Sequence, residues 1–80
     1  MNKLIENIDK LHTTELGISR IKRNLELENN DIIKWCKNKI LKAEKIIRIG
    51  KNWYINNGNI IITVNVNSYT IITAHKNIKN

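Results

Sequence analysis

The stretch that most constrains the fold runs from Asn52 to Lys76, NWYINNGNIIITVNVNSYTIITAHK, and contains no Asp or Glu. It alternates apolar and polar residues, which is the pattern of half-buried β-strands. The pair Asn57-Gly58 interrupts the alternation, and both residues tolerate the positive φ of a type I′ hairpin turn. The stretch therefore predicts an antiparallel sheet whose strands follow one another along the chain.

Before residue 45, apolar residues recur at helical spacing instead. Thr13 or Thr14 is suited to cap a second helix, and Asp31 a third. We expect a single α+β domain, 1–80, with three N-terminal helices packed on one face of a four-stranded antiparallel β-meander. The expected helices cover about 3–12, 15–25 and 31–44, and the expected strands about 45–49, 52–56, 59–66 and 70–76.

The hairpin turn assigns side chains to the two faces of the sheet. A two-residue loop at Asn57-Gly58 places Ile55 opposite Ile60, and opposed residues share a face. The face that we expect the helices to cover then carries Trp53, Ile55, Ile60, Ile62, Val64 and Val66. The opposite face carries Tyr54, Ile61, Thr63 and Asn65.

The first and last strands are less constrained. In the first, we expect Ile47 and Ile49 to point inward and Arg48 outward. In the last, a two-residue loop would bury Thr73 and His75. A three-residue loop would instead bury Thr70, Ile72 and Ala74 and leave Ile71, Thr73 and His75 open. We favour the longer loop because it keeps an imidazole out of the core.

The charge of the chain is unevenly distributed. The formal net charge is +7, and residues 45–80 contain five Lys or Arg and no acid. A basic half indicates a polyanion partner, most often nucleic acid, although solubility alone would also account for it. The expected open face offers groups that suit RNA, with Tyr54 for stacking and Arg48 and Lys51 for phosphate. Asn65 would hydrogen-bond phosphate or base edges.

Metal-independent RNA cleavage needs an acid, a base and a cation for the developing charge. The chain has two histidines, His12 and His75, and imidazole titrates near neutral pH. We therefore name His75, His12 and Thr73 as candidate catalytic residues, with Arg20 and Arg23 as phosphate ligands. The competing interpretation is that both histidines are structural or merely exposed.

Several other chemistries are disfavoured by composition. One cysteine and two distant histidines give no zinc-ligand spacing, and no nucleotide-binding glycine motif is present, so we expect no metal and no cofactor. Cys36 lies on an apolar helical stripe and is expected to be a buried, inert thiol. The lone cysteine and the absence of a signal pattern or a membrane-length apolar run predict a cytoplasmic protein.

Four segments carry a family resemblance: LHTTELGISRIKRNL, WCK at 35–37, GKNWY at 50–54 and SYTIITAHK at 68–76. The chain resembles the small bacterial proteins of domain of unknown function 3781, a likeness that brings no established activity. Its expected architecture is also similar to small RNase toxins of the RelE and barnase–colicin type. That likeness implies a site on the open sheet face involving His12, Arg20, Thr73 and His75, although the sheet lacks the Glu base of some members.

Two functions are therefore open from sequence. The first is RNA binding on the open sheet face, extending to toxin-type endoribonuclease activity. The alternative is a non-catalytic module of bacterial or phage origin that binds or inhibits a protein, using Ile61 and Ile71. We expect no membrane partner, and a chain this short is compatible with a homodimer.

Overall fold

The computed structural model describes residues 3–28 and 31–76. It is an α+β structure with helices in the N-terminal and middle parts and a four-stranded antiparallel sheet in the order β1-β2-β3-β4. The helical elements are α1 (Lys3–Glu6), a 3₁₀ turn (Ile8–Lys10), α2 (Glu15–Leu25) and α3 (Ile32–Leu41). The strands are β1 (Lys45–Ile49), β2 (Asn52–Asn57), β3 (Ile60–Asn65) and β4 (Ile71–Lys76).

The first predicted helix is wrong in detail, because 3–12 is not continuous helix. The Asn7 amide donates to the carbonyl of Lys3 at 3.0 Å, and the chain re-forms only as the short 3₁₀ turn. Asn competes for backbone groups in this way and is a weak helix former. Leu11 is already extended, which lets the next residues run alongside β4.

The second helix begins and ends where its pattern predicts. Thr14 is the N-cap, and its hydroxyl accepts from the Gly17 N–H at 3.0 Å. Glu26 ends the helix in the left-handed region with φ 54°. The buried residues Gly17, Ile21 and Leu25 recur every four positions and form the stripe that faces the sheet.

The third helix is shorter than the predicted 31–44. Asp31 caps it through the Lys34 N–H at 3.0 Å, and it ends at Leu41. Glu44 lies in the bend between α3 and β1, where its N–H donates to the Asn56 carbonyl at 2.9 Å. Its carboxylate also accepts from the Gly58 N–H at 2.7 Å. The expected polar break at Glu28–Asp31 includes residues 29–30, which lie outside the described residues.

The central hairpin turns one residue later than predicted. Asn57 pairs with Ile60, so the loop is Gly58-Asn59, and Gly58 has φ +59° while Asn59 is not among the residues with positive φ. That is the pattern of a type II′ turn rather than type I′. Moving the loop by one residue on both strands changes partners by two positions. The predicted faces of β2 and β3 are therefore retained, with Ile55 opposite Ile62.

The last strand contains a β-bulge. Thr73 pairs with Thr63, but Ile71 pairs with Val64, so Ile72 is the extra residue. Ile71 and Ala74 are both buried, and two inward residues three positions apart require one such insertion. Burial of Ala74 and an outward Thr73 and His75 agree with the longer-loop prediction. The prediction that Ile71 points outward and that Ile72 is buried was wrong.

The orientation predicted for β1 is also wrong. Ile46 lies opposite the buried Ile55, whereas Arg48 lies opposite Trp53 on the helix side of the sheet. Ile47 and Ile49 therefore point to the open face, and Ile49 is 63% exposed. A one-residue difference in register reverses every side chain of a strand.

The core lies between the helices and one sheet face. Its centre combines Ile21, Cys36 and Ile40 with strand residues from β2, β3 and β4. Trp53 also belongs to it, as predicted, and stacks at a tilt on Tyr69 with ring centroids 5.5 Å apart. The helices cover this face only, which leaves the other face open. The fully or nearly buried apolar strand residues on this face are Trp53, Ile55, Ile62, Val64, Ile71 and Ala74.

Candidate nucleic-acid interface

The sheet face opposite the helices, called the open face here, presents three cross-strand rows. The middle row joins Ile47, Tyr54, Thr63 and Thr73, one residue from each strand. The row toward the hairpin tip joins Lys45, Asn56, Ile61 and His75, and the row at the other end joins Ile49, Asn52 and Asn65. Neighbouring rows are about 7 Å apart because they are separated by two residues along each strand.

The middle row contains the most buried residue of the open face. Thr63 is only 7% exposed although it faces away from the helices, because it is enclosed by its cross-strand neighbours Tyr54 and Thr73. Tyr54 is half-buried, and its hydroxyl oxygen lies 3.5 Å from the Asn52 amide nitrogen. The tyrosine ring is thus held on the second strand with polar neighbours around it.

His75 is exposed at the end of the row beside Ile61. Its Nδ1 contacts the carbonyl oxygen of Lys76 at 3.2 Å. A carbonyl only accepts, so in this contact Nδ1 carries the proton. Within the described residues Nε2 has no hydrogen-bond partner, and it remains available to an incoming group.

His12 lies in a different environment. Its Nδ1 contacts the Lys10 carbonyl at 2.9 Å, and its Nε2 contacts the Thr70 hydroxyl at 3.1 Å. With Nδ1 as donor, the neutral ring accepts from Thr70 at Nε2. The Thr70 hydroxyl also lies 2.7 Å from that of Ser68. Both nitrogens of His12 are therefore occupied within the fold.

The hydroxyl–imidazole–carbonyl arrangement at Thr70 resembles that of an activated nucleophile. Two nearby N–H groups, those of Asn67 and Ser68, are not free to serve as oxyanion donors, because both donate to the Asn65 side-chain oxygen, at 2.9 and 3.0 Å. The arrangement instead ties the segment before α2 to the loop before β4. Backbone bonds reinforce the tie, including Ile71 N–H to the His12 carbonyl at 2.7 Å.

The two histidines are not brought together. His12 pairs with Thr70, which is five residues before His75, so roughly 15 Å of strand separates them. Thr73 and His75 share the open face, as predicted, and the Thr73 hydroxyl lies 3.4 Å from the Asn24 amide nitrogen of α2. The composite site of two histidines expected from sequence is therefore not assembled.

The basic residues predicted to hold phosphate are dispersed. Arg20 and Arg23 are exposed on α2, and Lys51 is exposed in the turn between β1 and β2. Arg48 lies at the sheet edge on the helix side, where its Nε is 3.4 Å from the Gly50 carbonyl. Of the predicted cations none lies in the three rows, whereas Lys45, which was not named, does.

The sequence reasoning missed Thr70, Ser68 and Asn24 as partners of candidate residues. Thr70 is separated from His12 by 58 positions and Asn24 from Thr73 by 49, and no local pattern in a single sequence reports such pairs. Asn65 was predicted to bind RNA, but its side-chain oxygen already accepts hydrogen bonds from the loop. Its side-chain amide nitrogen is left for another molecule.

Among residues 3–28 and 31–76, no group of three or more His, Cys, Asp or Glu side chains is placed to hold a metal ion. In the same part of the chain, no helix has the length and apolar character needed to cross a membrane. Burial raises the pKa of the Cys36 thiol to about 12, which disfavours the thiolate.

The fold and the open face describe a small α+β protein with a basic, acid-free sheet. Residues 5–75 match the family model described as a protein of unknown function, DUF3781, and the chain belongs to that family. Neither the curated proteins nor the solved structures compared with it gave a match.

Proposed function

We propose that this protein binds RNA on the open face of its sheet. The observation that carries the proposal is the middle row, where Tyr54 lies between Ile47 and Thr63, and Thr73 follows Thr63, on a sheet whose strands contain no carboxylate. Aromatic rings on an open sheet stack on unpaired bases, and hydroxyl groups hydrogen-bond base edges or phosphate. A sheet without acids does not repel the phosphate backbone.

Spacing supports a single-stranded ligand. Tyr54 and His75 are separated by two strand spacings and one row, which is about 12 Å. That distance suits stacking on bases that are not immediate neighbours in an extended strand. Lys45 lies in the same row as His75, so one end of such a strand would meet a cation.

The test is fluorescence anisotropy with a labelled single-stranded RNA over a range of salt concentrations. Tyr54→Ile should weaken binding about tenfold or more, since stacking on one base contributes about 1–3 kcal/mol, and should leave the salt dependence unchanged. Lys45→Ala should reduce the slope of log affinity against log salt by roughly one.

Lys34→Ala is the matched control, because Lys34 is exposed on α3, on the covered side of the sheet. It removes the same charge and should leave the slope as it is. Equal effects of Lys45→Ala and Lys34→Ala, or no retention of RNA at low salt, would argue against this surface.

Cleavage is a separable part of the proposal. The free Nε2 of His75 would act as acid or base, whereas His12 is engaged by Thr70. Purified protein should then cut RNA in EDTA, His75→Ala should abolish cutting, and His12→Gln should retain it if folded. Uncut RNA with the wild type, or equal cutting by His75→Ala, would leave a binding protein.

The second candidate is a protein-interaction module, and the exposed isoleucines favour it. Ile47, Ile49 and Ile61 all face outward, and they replace Ile71, which is buried and cannot serve as predicted. A complex that persists in high salt, together with no RNA binding at low salt, would support this function instead. Homodimerisation stays a prediction, as does the cytoplasmic location that the lone cysteine favours.

A further inference from the structure

The two edges of the sheet are treated differently by the rest of the chain. On the β4 edge, the Ile71 N–H donates to the His12 carbonyl at 2.7 Å, and the Ile71 carbonyl accepts from the Thr13 hydroxyl at 2.8 Å. The Ala74 carbonyl accepts from the Asn24 amide at 3.4 Å. The segment before α2 and α2 itself therefore cover this edge.

The β1 edge is open. Asn57 and Ile60 flank a two-residue loop, so the backbone N–H and C=O groups of each bond to those of the other. Every second residue of β2, counted back from Asn57, bonds to β3 in the same way. The Val66 N–H to the Lys51 carbonyl, at 2.8 Å, follows that alternation. Asn56, Tyr54 and Asn52 then bond β1 through Lys45, Ile47 and Ile49. The N–H and C=O groups of Ile46 and Arg48 point outward.

Nothing in residues 3–28 and 31–76 pairs with those four outward groups. An edge strand with free donors and acceptors is a template for another strand. Its side chains add a pattern: Lys45, Ile47 and Ile49 lie on the open face, and Ile46 and Arg48 on the helix side. One cation therefore stands on each face of the edge.

The charges on β1 indicate which kind of strand would pair with this edge. Pairing with a second copy about Ile47 would set the two Arg48 side chains diagonally against each other, between chains that each carry +7. Charged residues on edge strands oppose that kind of association. An acidic strand would instead place a carboxylate opposite each cation and an apolar residue opposite each isoleucine.

We propose that β1 binds an extended acidic segment of another protein by antiparallel strand addition. Read from its N-terminus, opposite Ile49 back to Lys45, the segment would follow the pattern apolar, acidic, apolar, apolar, acidic. Backbone bonds to Ile46 and Arg48 provide the pairing, and the carboxylates opposite Arg48 and Lys45 set the register. The proposal does not rest on RNA binding, because its backbone pairing uses the outward groups of Ile46 and Arg48, although Lys45, Ile47 and Ile49 also lie in the rows of the open face.

The experiment titrates ¹⁵N-labelled protein with the capped peptide SVEVVES and follows backbone amide shifts by NMR. The Ile46 and Arg48 amides should move most, because their N–H groups gain partners, while the Ile71 amide on the covered edge stays in place. The charge-reversed peptide SVKVVKS should bind about tenfold more weakly or not at all, since two attractive cross-strand pairs become repulsive.

The double variant Lys45→Glu/Arg48→Glu provides the reciprocal test, and its own spectrum reports whether it is folded. It should prefer SVKVVKS over SVEVVES. The single variant Arg48→Glu, with one repulsive and one attractive pair, should discriminate between the peptides less than the wild type and serves if the double variant unfolds. Equal binding of both peptides, shifts confined to other surfaces, or concentration-dependent β1 shifts without peptide, which indicate a second copy, would each overturn the proposal.

Discussion

At the scale of single residues, two side chains show how context decides chemistry. His12 and His75 are indistinguishable as exposed imidazoles in a sequence. Both ring nitrogens of His12 form hydrogen bonds, one with Lys10 and one with Thr70. The Nε2 of His75 has no hydrogen-bond partner within the described residues. Of the two histidines, His75 therefore keeps a ring nitrogen for another molecule, and His12 joins the N-terminal segment to the loop before β4.

Cys36 yields a pH-dependent expectation. Its pKa rises from 9.0 to about 12 on burial, so the unfolded thiol ionises first. The thiol's contribution to stability is complete below pH 9 and is lost as pH rises toward 12. Between pH 8 and 10 the thiol's contribution to the free energy of unfolding falls by about 1.4 kcal/mol, which is the equivalent of one pKa unit.

Urea unfolding of the wild type and of Cys36→Ala at both pH values measures this loss. The alanine variant is less stable at pH 8 because of the cavity it leaves, and its deficit should shrink by about that amount at pH 10. Lysines and tyrosines titrate in both proteins and cancel in the comparison. A deficit that does not change with pH would contradict a thiol that stays protonated in the fold.

At the scale of elements, α2 combines a regular pattern with one exceptional position. A Cβ at Gly17 would overlap the Thr13 hydroxyl oxygen, which donates to the Ile71 carbonyl at 2.8 Å. Glycine inside a helix ordinarily costs about 1 kcal/mol relative to alanine. Here the missing methyl group makes room for the contact that joins the start of α2 to β4.

Gly17→Ala should therefore lower the free energy of unfolding by about 1–3 kcal/mol, the usual range for overpacking, although helix propensity alone favours alanine. Ser19→Ala, at an exposed position of the same helix, should be neutral or slightly stabilising. Chemical denaturation compares the two variants. In a Thr13→Ala background the penalty of Gly17→Ala should largely disappear, and a penalty that persists there would place its cause elsewhere.

At the scale of the whole molecule, residues 3–28 and 31–76 cover one sheet face and one sheet edge and leave the other face and edge uncovered. Ile62 is fully buried beneath the helices, while Ile49 is largely exposed on the open face. Both are strand isoleucines, so the same substitution at each position separates burial from strand propensity. The contrast also tests which face of the sheet contains the core.

Ile62→Val should lower the free energy of unfolding by about 0.5–1.5 kcal/mol, because it removes a buried methylene group. Ile49→Val should change it by less than about 0.5 kcal/mol. Thermal or urea unfolding at one protein concentration measures both variants. Comparable losses at the two positions would mean that the open face is covered in solution.

Much of the element order follows from sequence because it depends on local patterns. The bounds of α2 follow from a Thr cap and an apolar stripe, and the central hairpin from its Asn-Gly pair. The predicted faces of β2 and β3 are correct although the loop lies one residue later than predicted, because the shift changes the cross-strand partners by two positions. By contrast, the first helix failed where Asn7 competes for the backbone and where the chain turns to meet β4.

Taken alone, the sequence determined the class of the fold, the inward faces of the two central strands and the acid-free character of the sheet. Only the tertiary structure decided the orientation of β1, the bulge that buries Ile71, and the separation of His12 from His75. Those features depend on contacts between residues far apart in the chain and on registers that a single residue can reverse. The alternating pattern can be read from the sequence of the stretch NWYINNGNIIITVNVNSYTIITAHK. The helices packed against it determine which of its residues lie in the core and which face outward.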